Sequence, residues 1–259
     1  MITGCAWHRD GLFFRLYVFE MKRKIAVEII VEVVVGVYLT GIVVFLWGHP
    51  VAATLLLAAG IGFWVLRYQN RADVATMLAA ALLGTPSEVI CVKYGVWTYH
   101  APGLFLGIPV WIPLIWASLF CLFRRITLTF TAVADTMWPV PTVRSRKIVF
   151  GILIGAILVY YLVVAATIAR SIAMVYTIII LIAAVFWHRE RDILIFLVGA
   201  TLGTIGEAIC MKVGFWHYHF PYLKGIGMPI SLPMAWGLSA VIIGRIAKNW
   251  EVNTEISQT

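Results

Sequence analysis

Residues 84–116 read GTPSEVICVKYGVWTYHAPGLFLGIPVWIPLIW, and residues 203–236 read GTIGEAICMKVGFWHYHFPYLKGIGMPISLPMAW. With one residue inserted near Gly225, sixteen positions coincide, among them Glu88/Glu207, Cys91/Cys210, Lys93/Lys212, Trp97/Trp216, Tyr99/Tyr218, His100/His219, Pro102/Pro221, Pro109/Pro229 and Trp116/Trp236. The chain therefore carries an internal duplication. The correspondence continues upstream at a constant offset, with Lys24-Ile25 matching Lys147-Ile148, Tyr38 matching Tyr161 and Phe63-Trp64 matching Phe186-Trp187. After a short deletion, Asp73 matches Asp192.

Hydrophobic residues make up 62% of the 259 and charged ones only 12%, and the mean hydropathy is +0.96. A soluble domain is roughly half apolar, so this composition reads as an all-α integral membrane protein. Lipid offers the backbone no partners, and the apolar runs are far longer than strands, which requires helices rather than a barrel. Spans of about 20 residues are predicted over 25–47, 51–67, 74–94, 107–123, 148–169, 172–187, 193–213 and 227–244. These are eight transmembrane helices, arranged as two parallel four-helix repeats over 25–125 and 147–248. A cytoplasmic leader (1–24), an interfacial linker (126–146, with Pro139 and Pro141 and an amphipathic turn near Phe130 to Trp138) and a polar tail (249–259) complete the reading. The apolar run after Met21-Lys22-Arg23-Lys24 is too long for a signal h-region of about 7–15 residues, so it is read as an uncleaved first span.

An even span count returns each repeat to its starting side, which relates the two by an axis along the membrane normal. Of the twenty Lys and Arg residues, sixteen fall on the side of the termini; only Lys93, Arg170, Lys212 and Lys224 do not. That bias places both termini in the cytoplasm, and the expected setting is a bacterial or archaeal cytoplasmic membrane. The bias also accounts for the +8 net charge without nucleic acid as a partner. The expected partners are the bilayer and a lipophilic small molecule. Cys5, Cys91, Cys121 and Cys210 show no CxxC or CxxxC spacing, so neither a disulfide framework nor a zinc site is indicated.

Gly84, Glu88, Cys91 and Gly95 share one face of a helix, as do Gly203, Glu207, Cys210 and Gly214. A face of glycines admits close approach of another helix, so the two glutamate helices are expected to pack on each other with their carboxyls inward. A carboxyl in a membrane helix costs about 2.5–3.5 kcal/mol on insertion scales. Glu88 and Glu207 are thus either structural hydrogen-bonding groups, paired for instance with Tyr99 or Tyr218, or a proton donor and acceptor. The loops that follow place Trp97, Tyr99 and His100, and Trp216, Tyr218 and His219, over the outer mouth. An interfacial aromatic belt explains the Trp and Tyr positions but not a repeated histidine. His217, opposite Thr98 in the duplication, is the weaker candidate. Pro109 and Pro113, like Pro229 and Pro233, are expected to bend the start of the fourth helices, and Trp111, Trp116 and Trp236 to line the same cavity. No ExxH or HxxxH spacing supports a metal, and no cofactor is indicated.

Glu88, Gly95, Tyr99, Gly107, Pro109, Pro113, Leu114 and Trp116, repeated as Glu207, Gly214, Tyr218, Gly227, Pro229, Pro233 and Trp236, resemble the membrane carotenoid-biosynthesis family that includes the bacterioruberin-type carotenoid hydratases. The match covers about 33 residues, and the family's Pro-Phe-Gly before the tyrosine is Val96-Trp97-Thr98 here. Pro86-Ser87-Glu88 is also similar to the PxE motif of heterodimeric and archaeal lycopene cyclases, although Ile205-Gly206-Glu207 lacks the proline. The resemblance implies acid chemistry on a polyisoprenoid double bond, by hydration or cyclisation. Three readings stand at this point: an enzyme of isoprenoid metabolism with Glu88 and Glu207 as catalytic acid and base, a binding or transport protein for a lipophilic solute, and a structural membrane subunit.

Overall fold

The computed structural model describes residues 6–137, 190–219, 227–229 and 232–256. It is mainly helical: α1 (Ala6–Leu46), α2 (Pro50–Tyr68), α3 (Arg71–Lys93), α4 (Ile112–Met137), α5 (Glu190–Lys212) and α6 (Leu232–Ile256). Among the described residues, five helical stretches are long and apolar enough to cross a membrane, namely Phe19–Leu46, Pro50–Tyr68, Arg71–Lys93, Ile112–Val133 and Asp192–Lys212; Leu232–Ile246 is apolar but shorter. The helices expected at 148–169 and 172–187 lie outside the described residues.

Local chemistry sets the helix ends. Pro50 opens α2, where a missing N–H costs nothing. The Asn70 side chain caps α3 by accepting from the Ala72 and Asp73 amides. Beyond Lys93 and Lys212 the chain turns through Gly95 (φ +65°) and Gly214 (φ +77°), the left-handed stop that glycine adopts without a Cβ penalty. Both helices thus end in the same way. Each then enters a short strand, β1 (Trp97–Tyr99) and β4 (Trp216–Tyr218), and these two pair antiparallel. A hairpin, β2 (Leu104–Phe105) with β3 (Ile108–Pro109), leads into α4.

Several expectations change. The fourth helix starts at Ile112 rather than 107, because Leu106 and Gly107 take positive φ and Pro109 belongs to the hairpin. Pro113 therefore opens α4 rather than bending it. Within the second copy, α6 likewise begins at Leu232. At its other end α4 runs through Ile126 to Met137, so the first part of the expected linker is helix. Helix also covers the leader from Ala6 and the tail to Ile256. Nor do the glutamate helices pack chiefly on each other. Instead α3 packs on α4 and α6, while α5 packs on α6 and α4.

The end of the bundle away from the strands is held by buried and half-buried ion pairs. Asp73 accepts from both Arg124 and Arg125, and the duplicated positions Asp192 and Arg245 also pair. The Arg125 guanidinium lies 3.6 Å from the centre of the Tyr68 ring, whose hydroxyl donates to Glu28 at 2.5 Å.

Candidate functional site

The site is built from an indole seated on a glycine, twice. A Cβ placed on Gly84 would lie 2.1 Å from the Trp116 ring, and one on Gly203 would lie 2.3 Å from the Trp236 ring. The glycine face therefore accommodates a tryptophan from the fourth helix, where the sequence predicted the other glutamate helix. One turn farther on, the seated indole meets the carboxyl: Trp116 Nε1 donates to Glu88 Oε1 at 3.2 Å, and Trp236 Nε1 donates to Glu207 Oε1 at 3.3 Å. The two indoles stack, with ring centres 5.2 Å apart and 17° between planes. We expect Gly84→Ala and Gly203→Ala each to destabilise the protein by about 1–3 kcal/mol, the usual result of overpacking. Thermal unfolding in detergent measures this, and unchanged melting would mean that the seat is not tightly filled.

The second donor to each carboxyl comes from the strands. Tyr99 donates to Glu88 Oε2 at 2.6 Å, and Tyr218 to Glu207 Oε2 at 3.1 Å. In the β1–β4 ladder Trp97 faces Tyr218, Thr98 faces His217 and Tyr99 faces Trp216. Because Trp97 corresponds to Trp216 and Tyr99 to Tyr218, this register maps onto itself when the copies are exchanged. The flanking bonds exchange too: the His100 amide donates to the Phe215 carbonyl at 2.9 Å, and the His219 amide to the Val96 carbonyl at 3.0 Å. Each tyrosine thus serves the glutamate of its own copy while the other copy's backbone holds its strand. Burial, and then the neighbouring Glu88, push the Tyr99 phenol well above its ordinary value; burial and Glu207 do the same to Tyr218. Both phenols stay protonated.

The chemistry of the two oxygens differs. An indole N–H can only donate, so Oε1 accepts in either protonation state. A phenol donates to a carboxylate or accepts from a carboxyl, so Oε2 is where a proton can be held or exchanged.

Both carboxyls line a single, largely apolar cavity of about 110 Å³, together with Tyr99, Trp111, Trp116, Trp216 and Trp236. Trp111 is fully buried, and among the described residues its Nε1 has no hydrogen-bond partner. The copies differ at Phe215, whose counterpart is Val96. Phe215 fills a nest formed by Trp47, Tyr99, Trp111 and Trp216, at 4.7–5.9 Å between ring centres.

Of the residues singled out in the sequence, Glu88, Glu207, Tyr99, Trp111, Trp116, Trp216 and Trp236 line this cavity. Tyr218 reaches it through Glu207, and Trp97 packs edge-on against Tyr218 at 5.4 Å. His100 and His219 do not line it. They sit on the exposed side of the ladder with His217, where His100 Nε2 lies 2.7 Å from His217 Nδ1 and His219 Nε2 lies 2.6 Å from Thr98 Oγ1. His217, the weaker candidate from sequence, is thus as engaged as the repeated pair. The antiparallel pairing of the strands, which brings His217 beside His100, was not visible in a parallel alignment of the two copies. Phe215 and the residues of α1 that line the cavity, Leu39, Thr40 and Val43, were missed because nothing in their sequence context distinguishes them from core.

Among the described residues, no three His, Cys, Asp or Glu side chains are arranged to hold a metal ion. Comparisons with protein-family models, with curated proteins and with solved structures return no significant match.

Proposed function

We propose that the chain is an integral membrane enzyme with eight spans in two parallel four-helix repeats, and that it uses Glu88 and Glu207 for acid–base chemistry on a carbon–carbon double bond of an isoprenoid lipid. The observation that carries this reading is the convergence of two membrane-helix carboxyls on one apolar, tryptophan-lined cavity. One carboxyl, protonated at Oε2, transfers that proton to an alkene carbon and becomes a carboxylate. The resulting tertiary cation is flanked by the faces of Trp116, Trp216 and Trp236, which stabilise positive charge. Water then adds to the cation, and the second carboxylate accepts the proton released; in a cyclisation, a neighbouring double bond attacks instead and the same carboxylate takes the proton from carbon. The Trp111 N–H, without a partner among the described residues, is the donor that holds the attacking water or the product hydroxyl.

The test is to incubate the protein, reconstituted in vesicles, with an acyclic polyisoprenoid in deuterium oxide. Deuterium on carbon in the recovered lipid is the expected result. Its absence, across substrates that enter the membrane, would sink the enzyme reading.

A structural role is the second reading, favoured by one observation: each carboxyl already has two donors from its own copy. On that reading the glutamates fasten the third helix of each copy to the fourth and to the strand cap.

The topology is tested separately. Sixteen basic residues on one side support an external strand cap, so reporter fusions at Gly103 and Tyr222 should give an external signal. A cytoplasmic signal at either position would reverse the orientation.

A further inference from the structure

A cavity of about 110 Å³ is small beside a lipid, since an engineered apolar cavity of about 150 Å³ holds one benzene. If the cavity takes a reacting group, the rest of that molecule must lie elsewhere. Directly adjoining it is an apolar groove of about 700 Å³ bounded by α1, α4 and α5. Leu39, Thr40, Leu119, Gly206 and Ile209 border both spaces. Along α5 the groove extends from Ile209 back to Leu194, about 22 Å at 1.5 Å per residue.

Two features distinguish this groove from an ordinary lipid-facing crevice. Gly206 stands at the junction, and a Cβ added there would meet nothing within 4 Å, so the helix presents open space beside Glu207. Its counterpart in the first copy is Ser87, whose hydroxyl bonds back to the Gly84 carbonyl at 2.7 Å. At the other end the groove is lined by Glu32 and Thr129. Glu32 is only 6% exposed, and Thr129 donates to its Oε1 at 2.5 Å. A carboxyl buried in an apolar wall is stabilised by hydrogen-bond partners, and among the described residues Oε2 remains for a ligand hydroxyl. Glu32 lies seven residues before Leu39 on α1, about 11 Å away along the helix.

We infer that this groove is a chain-binding subsite continuous with the glutamate cavity through the gap at Gly206, and that its occupant is a long-chain lipid alcohol whose hydroxyl sits at Glu32 and Thr129 while its chain leads to Glu88 and Glu207. The inference rests on the proposed reading of the glutamate cavity as a ligand site. It adds the route by which the ligand lies in the protein and the polar group that fixes its far end.

The probe is palmityl alcohol carrying a diazirine near its chain terminus, photolysed with the full chain in phosphatidylcholine vesicles and mapped by mass spectrometry. Saturable adducts are expected on α5 between Leu194 and Ile209 and on the walls of the glutamate cavity, and excess palmityl alcohol should compete better than hexadecane. Gly206→Leu, a helix-favouring change into open space, should lower cavity adducts about tenfold, the scale on which steric change in an apolar pocket discriminates ligands, and leave the inner groove labelled. Thr40→Leu narrows the gap from the opposite wall and serves if Gly206→Leu does not fold. Glu32→Ala should remove the preference for alcohol over alkane. Unsaturable labelling, spread evenly over lipid-exposed Phe45, Leu66 and Leu82, would overturn the inference, as would cavity labelling unchanged in both gap variants. Saturable labelling without deuterium incorporation keeps the subsite and removes the enzyme reading; deuterium incorporation with unsaturable labelling does the reverse.

Discussion

On the proposed enzyme reading, Glu88→Gln and Glu207→Gln are each expected to lower turnover by about 10²–10⁴-fold, the usual contribution of a positioned acid or base, and to leave the fold standing. Glutamine keeps an oxygen to accept from the indole N–H of Trp116 or Trp236, and its amide can face a phenol that now accepts. What it cannot do is hold or release a proton at the position of Oε2. Deuterium incorporation into lipid measures the loss, and melting temperature confirms the fold. The double variant should be little worse than either single one, because groups that act as a unit are non-additive. Wild-type turnover in both single variants, or unfolding of both, would leave the structural reading in possession of the site.

The second large effect lies at the opposite end of the bundle. Asp73→Ala should destabilise the protein by about 3–5 kcal/mol, the cost of stranding the partner of a buried ion pair. The Asp73 side chain is only 3% exposed and holds two guanidiniums. Without it Arg124 and Arg125 lose their carboxylate, and the negative charge in the first turn of α3, where the helix dipole favours it, is gone. Asp192→Ala should cost less, since the Asp192 and Arg245 side chains are 18% and 21% exposed. Thermal unfolding of the two variants compares them, and equal melting temperatures would show that burial at this end does not set the energy.

How far the sequence went depended on what each residue pattern encodes. Repetition of Glu88 as Glu207 located the site, because a carboxyl kept twice in a membrane helix demands a partner. Gly84 and Gly203 announced a close approach but not what approaches, since a missing side chain carries no information about its neighbour. The strand pair could not be seen: three residues are too few to show alternation, and β1 finds its partner 119 residues away, from Trp97 to Trp216. Arg124 and Arg125 read as the cytoplasmic end of a span, yet both fold onto Asp73, which lets α4 continue to Met137. Gly107 and Pro109 carried turn signals that the apolar character of the following run obscured.

The self-matching register of the β1–β4 ladder has an implication for ancestry. A contact that is unchanged when its two sides are swapped is isologous, the kind that joins identical subunits in a homodimer. Two separate chains, each bearing one strand, would meet through the same hydrogen bonds, with Trp against Tyr on either side of the dyad and one glutamate from each subunit in the shared cavity. Joining two such halves in one polypeptide would release them from identity, and Phe215 stands in the second half where Val96 stands in the first.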